Sequence, residues 1–564
     1  MIGMTDNVKP KGSSKRTLLI AVIVVVVVIV VVASIAVVVT RPSTKTPTKT
    51  LTVAQETFSM TWANVPVLDP AVGDDEASDT ALANIYDSLV LPTAGGTLTP
   101  DLATSWTISS NGLVYTFNIM PNVSFHNGDI LTAQDVVFSM DRMITMGQGL
   151  SYLFSPYIAN TTAPNNSTVV FNLKTPDGPF LSSLSFLYVL DEKTVMAHIA
   201  SGPYGTYGDY GSTWLLTHDA GSGPYEVIAA NLEANVTLEE FSNYWNGTKA
   251  NQPKYVNMIG SSQTSTVEAL FDSKGIQATD MWQTYSTIST LAKEPGAAMI
   301  RIPMAEEMYL MINTHLAPTN SVFVREAMSY ALNYSAIVGP GGPFQGMSLA
   351  TGPVSDVLPG ADTSFHAEQQ NLALAKQSIA KSEYANNISK YPVTYLETTA
   401  VPAEAQLATL FATDMAQIGI TVNIEAEPWG TMEADMGNIS SAPNVASVET
   451  AATYDEAGSV LSEMYSTAAV GTYTQNYWLN NTTLSNEIAN ATAIVNQTAR
   501  FMAYVQIQQQ IANLYLNCYA FDVSEVRAYY PGIVDINSNS VLGVPLGYVF
   551  YYRNIGFNAT AMPS

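Results

Sequence analysis

Charge is scarce in this chain. Of its 564 residues only 12% are Asp, Glu, Lys or Arg, where globular proteins usually carry about 25%. Cations are the scarcest, with 22 Lys and Arg against 47 Asp and Glu and a formal net charge of −25. So acidic a body has no phosphate-seeking surface, which argues against nucleic acid as a partner. Sparse charge suits an acidic exterior, where carboxylates turn neutral and few lysines are left to repel one another. Cysteine is reduced to Cys518. No intrachain disulfide and no amino-terminal lipid-bearing cysteine are available, and the fold must rest on packing. The five histidines, His126, His198, His218, His315 and His366, are scattered, without a His-Glu-x-x-His pattern or paired cysteines, so no zinc site is expected. There is no Gly-x-Ser-x-Gly elbow, and Gly341-Gly-Pro-Phe-Gln-Gly346 lacks the Lys-Ser/Thr that completes a phosphate loop and reads as a turn. Neither a cofactor nor an enzymatic reaction is called for, and any ATPase would be a separate chain. Asp74, Asp75, Glu76 and Asp79 lack calcium-loop spacing and read as a solvated acidic loop.

What the chain does have begins at its amino terminus. Lys9, Lys11, Lys15 and Arg16 precede an almost purely aliphatic run over residues 18–39. At 1.5 Å per residue that run reaches roughly 33 Å, enough to cross a bilayer. It is longer than the apolar region of a cleavable signal, so it reads as an uncleaved transmembrane helix, with 1–17 inside the cell. Residues 40–50, rich in Thr, Pro and Lys, form a tether. The body beyond it carries Asn-x-Ser/Thr sequons at Asn122, Asn160, Asn166, Asn235, Asn246, Asn333, Asn387, Asn481, Asn490, Asn496 and Asn558. That density fits a glycosylated outer surface.

The body opens on a strand signal at residues 51–54. Ser110-Asn111-Gly112 then leads into an alternating run with Tyr115, Phe117 and Ile119 on one face, which predicts a hairpin. Thr132 and Asp135 are spaced as a capping box ahead of a helix whose apolar face is Val136, Val137, Met140 and Met143. Farther on, Val324, Ala327, Met328, Ala331 and Leu332 recur at helical spacing. A strand at Val393, a helix bearing Leu407, Leu410, Phe411 and Met415, then Gly419 and the alternating Ile420, Val422 and Ile424, make a βαβ unit with a parallel pair. The fold class is α/β, with two differently built regions and no internal repeat.

The stretches Leu98-Thr-Pro-Asp-Leu-Ala-Thr-Ser-Trp106, Asn111-Gly-Leu-Val-Tyr-Thr-Phe117, Val123-Ser-Phe-His-Asn-Gly128 and Leu131-Thr-Ala-Gln-Asp-Val-Val-Phe-Ser139 follow one another in a specific order. With Val67-Leu-Asp-Pro70, Gly221-Ser-Gly-Pro-Tyr225 and Ile418-Gly-Ile-Thr-Val422, they resemble the family 5 extracellular solute-binding proteins of ABC transporters, the dipeptide- and oligopeptide-binding group. The resemblance implies a periplasmic-binding-protein-like fold with mixed sheets and two lobes on a hinge. The first lobe would span residues 51–302 and return at 523–564, with the second at 303–522. The function it implies is capture of a peptide between the lobes and delivery to an ABC permease served by separate ATPase chains.

Peptide binders of that family hold the ligand's amino group with an aspartate in a Trp-x-x-Asp-x-x-Asp-Pro-like segment. The matching region, Val448-Glu-Thr-Ala-Ala-Thr-Tyr-Asp-Glu-Ala457, places Asp455 beside Tyr454 there, without the Trp and the Pro. Trp62, Trp282, Trp429 and Trp478 lie in segments expected to approach the cleft; aromatic walls suit side chains of variable shape and sugar rings alike. An oligosaccharide is therefore the rival ligand. A surface-layer or adhesion glycoprotein is the rival of another class, disfavoured by the missing repeat.

Overall fold

A computed structural model describes residues 53–92, 98–261, 263–399, 401–537, 540–542 and 549–563. The expected membrane span and tether lie outside them. Among the described residues no helix is long and apolar enough to cross a membrane.

One core gathers buried residues from Phe58 to Leu291 and again from Val526 to Ile555. Two smaller cores share the stretch between Met304 and Val523. These are the two lobes. In the first, β1 (Thr57–Trp62), α1 (Glu76–Ile85), β2 (Ala103–Ile108), β3 (Val114–Ile119), α2 (Ala133–Met146), β4 (Ile158–Asn165), β5 (Thr168–Leu173), β6 (Tyr225–Asn231), β7 (Asn235–Glu240) and β8 (Tyr255–Gly260) build two four-stranded sheets, ordered β1-β8-β7-β6 and β2-β3-β5-β4. The β2–β3 hairpin is as expected. Gly112 takes the left-handed φ of +68° its turn needs, and Tyr115, Phe117 and Ile119 are buried. The Asp135 carboxylate accepts the Thr132 backbone N–H at 2.8 Å, closing the capping box of α2.

Two sequence expectations are corrected. The segment at 53–56 is a 3₁₀ turn, closed by Thr57 Oγ1 donating to Val53 O (2.7 Å), and the first strand begins only at Thr57. The acidic run at 74–79 is not a solvated loop. Asp75 caps α1 by accepting from Ser78 N–H, and Glu76 and Asp79 are buried in its first turn. A helix amino terminus favours negative charge, and Glu76 finds a distant cation, Arg527.

In the second lobe, β9 (Ala298–Ile312), α3 (Val322–Ala331), β10 (Val393–Thr398), α4 (Pro402–Ala416), β11 (Val422–Glu427), β12 (Val445–Ala451), α5 (Ala457–Tyr465), α6 (Thr482–Thr492), α7 (Gln497–Ala512) and β13 (Asn517–Tyr529) surround a mixed sheet ordered β11-β10-β12-β9-β13. The βαβ expectation holds: β10 and β11 pair in parallel, Val393 opposite Val422, and Gly419 at φ +83° turns the chain between α4 and β11.

The strands β9 and β13 belong to both lobes. They pair antiparallel from Ala298↔Tyr529 to Pro303↔Ser524, shift register, and resume at Glu307↔Asp522. Proline has no N–H for the ladder, and a bulge bends a strand pair. The ladder is thus interrupted at Pro303, where the chain passes from the first core to the second.

Candidate ligand-binding site

The lobes also meet away from the crossing strands. The Gly178 N–H of the first lobe donates to Thr492 O at the end of α6 (2.9 Å). The Gly112 turn presses on Val495, leaving no room for a side chain at either glycine. Ser182 Oγ reaches Glu456 Oε1 at 3.4 Å. Glu456, at the N-cap of α5, is buried and holds Arg500 by two contacts of 2.7 and 2.5 Å. Arg500 also donates to the Ile494 and Val495 carbonyls, which shapes the loop that meets Gly112 and Gly178. Burial, followed by the Glu456 charge and offset by Arg500, pushes Asp177 on the first-lobe side up to about 7.

Close to this contact in the chain lie several carboxyls raised by burial. Asp455 Oδ2 is buried and finds no hydrogen-bond partner among the described residues, and burial together with Glu456 pushes the carboxyl up to about 7. Tyr454 is partly buried, packs against the first-lobe core and lies near Asp177 and Glu456. Glu463, two turns along α5, accepts from Thr453 Oγ1 (2.5 Å) and Ser459 Oγ (2.9 Å), and burial pushes it up to about 7. Tyr152 of the first lobe sits beside Thr453, with its hydroxyl in the field of Glu463, Asp74 and Asp79. That tyrosine thus stands across the lobe boundary from Thr453.

The four tryptophans divide. Trp282 is 53% exposed and donates its indole N–H to Glu76 Oε2 at 2.8 Å. Trp62 is wholly buried behind it, under the Arg527 guanidinium at 5.0 Å, and Arg527 pairs with both Glu76 and Glu525. Trp429 is 37% exposed and meets Tyr473 edge-on at 5.2 Å; Tyr473 in turn feels Glu463. Trp478 is half-buried at φ +51°, its indole nitrogen without a partner. The structure thus brings Trp62 together with Trp282, sets Tyr454 beside Asp455, and places Trp429 near Glu463 by way of Tyr473. Sequence reasoning missed Glu463, Tyr152 and the Glu456–Arg500 pair. The i, i+4 spacing of Ser459 and Glu463 was the one local signal available. His126 has a structural setting, 2.5 Å from Asp219 and 3.0 Å from Gly223 O.

Two α/β lobes joined by a continuous strand pair, with polar and aromatic groups facing one another between them, define the periplasmic-binding-protein class. Solved structures agree on the fold. DppA from Helicobacter pylori in complex with the peptide STSA superposes with a TM-score of 0.67 at 21% identity, covering 89% of this chain and 98% of that one. CtaP from Listeria monocytogenes gives 0.76 at 18% identity over 89% and 99%. Within that class the chain belongs to the bacterial extracellular solute-binding proteins, family 5, whose model matches residues 97–472. Curated relatives include the glutathione-binding protein GsiB of Pectobacterium atrosepticum, 27% identical over 374 residues (65% of this chain, 68% of that protein). Another is the probable D,D-dipeptide-binding periplasmic protein DdpA of Escherichia coli, 27% identical over 385 residues (66% and 71%).

Proposed function

We propose that this chain is a non-enzymatic peptide-capture protein that presents its ligand to an ABC importer, anchored in the cell membrane through residues 18–39 with its body on the extracellular face. The observation that carries the ligand class is the acidic lining of the cleft. Among the described residues Asp455 has a buried oxygen with no hydrogen-bond partner, and Glu463 accepts from the Thr453 and Ser459 hydroxyls. A peptide's ammonium supplies the charge-assisted N–H donors that such carboxylates lack. The family's pattern supports the pairing. Its Asp-Pro suits an N-cap and first helical position, held here by Glu456 and Ala457. Counting back three residues puts Thr453, and not Asp455 as the register read from the sequence had it, where the amino-binding aspartate stands, and the Glu463 carboxylate reaches Thr453 from α5. Asp455 flanks it on the other side of Tyr454. The names of the relatives, glutathione- and dipeptide-binding, point the same way.

The lobe limits at residues 302/303 and 522/523 flank the bulge and serve as the hinge. Asn122, Asn160, Asn166, Asn246, Asn490 and Asn496 are exposed, and Asn235, Asn387 and Asn481 partly so, as glycan acceptors require. Calorimetric titration with tripeptides tests the ligand class. Asp455→Asn and Glu463→Gln should each weaken binding by about tenfold, the loss of a charged hydrogen bond. Unchanged dissociation constants in both variants remove the ammonium assignment. Binding of cello-oligosaccharides with no response to peptides replaces the ligand class altogether.

A further inference from the structure

Arg500 ties together the pieces of the second lobe that meet the first. It stands in the opening turn of α7, 3% exposed, and all three nitrogens of its guanidinium are engaged. Nε and Nη2 donate to the two Glu456 oxygens, and Nη1 donates to the Ile494 and Val495 carbonyls at 2.8 and 3.2 Å. Those carbonyls belong to the turn between α6 and α7. The same stretch carries the groups on which the first lobe docks. Thr492 O accepts from the Gly178 N–H, and Val495 faces the Gly112 turn. The alkyl stem of Arg500 completes the contact, with Cδ against Gly178 itself.

Glu456 is the other end of the pair. It is 1% exposed and sits at the N-cap of α5, where the Ala457 N–H donates to Pro359 O (2.8 Å) and the Ser459 N–H to Glu456 O (3.0 Å). It follows Asp455 in the chain and opens the helix that carries Glu463. Its carboxylate also meets Ser182 Oγ of the first lobe at 3.4 Å, and Tyr454, two residues earlier, packs on the first-lobe core. One ion pair is thus joined through the backbone to the candidate ligand carboxylates and through side chains to the surface where the lobes meet.

A buried ion pair is a weak source of stability, because an apolar pair of like volume would hold α5 and α7 together as well or better. An apolar pair cannot aim the Ile494 and Val495 carbonyls. A guanidinium can, since its donors form a rigid planar fork, and side-on binding to Glu456 leaves Nη1 directed at the turn. We propose that Glu456 and Arg500 are the positioning pair for lobe closure: they hold residues 492–495 in the shape that Gly112 and Gly178 fit, so that the lobes lock together only while the pair is made. This rests on the reading of capture between two lobes given above and is independent of the ligand class. A ligand that engages Asp455 or Glu463 then acts on the same helix start that holds the closing surface in place.

The test uses the full-length chain in detergent micelles and the double variant Glu456→Leu/Arg500→Met, which should melt at or above the wild-type temperature. Amide hydrogen exchange, resolved to single residues by fragmentation mass spectrometry, reads the contact from the first-lobe side. The Gly178 amide should exchange about tenfold faster than in wild type, while amides of β5 and β10 stay within about twofold. Arg500→Lys is the second variant; it keeps the charge, loses the fork and should give the same pattern. Unchanged protection of Gly178 in both variants overturns the proposal. Faster exchange that includes β10 also overturns it, because the pair would then serve only to hold the second lobe together. Calorimetry with tri-alanine adds a second readout. Arg500→Lys should weaken binding about tenfold in the wild-type chain and less than about twofold in a Gly178→Val chain, where the contact is already broken. Equal weakening in both chains places the effect at the ligand site and overturns the proposal. If tri-alanine binds to none of these chains, the peptide reading falls, and exchange at Gly178 still decides the role of the pair.

Discussion

A Gly178→Val chain folds as the wild type does and binds its ligand at least a hundredfold more weakly. A Cβ at this position would lie 2.5 Å from Ile494 O, 2.6 Å from Thr492 O and 2.8 Å from Arg500 Cδ. Two of the three are backbone carbonyls, and the third belongs to a side chain fixed by Glu456, so none yields cheaply. All three belong to the other lobe, hence the strain is relieved by parting the lobes rather than by disturbing either core. The Gly178–Thr492 hydrogen bond parts with them. A hundredfold change corresponds to about 2.7 kcal/mol, within the range that overpacking costs. Calorimetry measures the affinity, and small-angle scattering with saturating ligand should show the variant remaining expanded. Gly430→Ala is the control, because its Cβ would meet nothing within 4 Å. Tight binding by Gly178→Val would mean that the lobes need not touch there to hold a ligand.

Thermal stability should peak near about pH 4–5 and decline steadily toward about pH 8, the reverse of the usual acid sensitivity of proteins. The cause is the set of carboxyls held high by burial: Asp177, Asp455, Glu463 and Asp522 to about 7, and Glu404 to about 8. Glu307, opposite Asp522 in the crossing strands, is raised by burial and by that neighbour, and among the described residues neither of its oxygens has a hydrogen-bond partner. Each such group has a folded value above its ordinary value of 3.8 or 4.5. The folded state therefore binds the proton more tightly. Stability is complete below the unfolded value and is withdrawn as pH climbs through the folded one. At about 1.4 kcal/mol per pK unit, two of these groups alone withdraw roughly 5 kcal/mol across that window. The melting temperature should fall by about 5–10 °C. On the acid side Asp209 sets the limit. Backbone N–H groups of Ala200, Gly211 and Thr213 outweigh its burial and hold it to about 2, so its contribution is lost as pH drops from 3.8 toward that value. A melting profile that rises between about pH 5 and pH 8 would contradict this account of the buried acids.

The parts of the fold legible in the sequence are those whose causes lie within a few residues. The alternation at Tyr115, Phe117 and Ile119, the Thr132–Asp135 box and the β10-α4-β11 unit each follow from local period and local hydrogen bonds. The acidic run at 74–79 was misread because the cation that buries Glu76 lies 451 residues away. Trp62 belongs to the same arrangement, stacked under Arg527 in the interior. The segment around Asp455 stood out by its pattern, whereas Glu463 acquires meaning only once α5 turns it back onto Thr453.

The crossing strands have a further consequence. Because β9 and β13 stay hydrogen-bonded to each other on both sides of the register shift, the lobes share one ribbon and cannot tumble separately. On the hinge proposed above, an empty molecule should sample a narrow arc, like a book opened on its spine, with the two palms of the grip aligned while they wait. Little rotational disorder remains for an arriving guest to suppress, so even a modest set of contacts suffices to hold it.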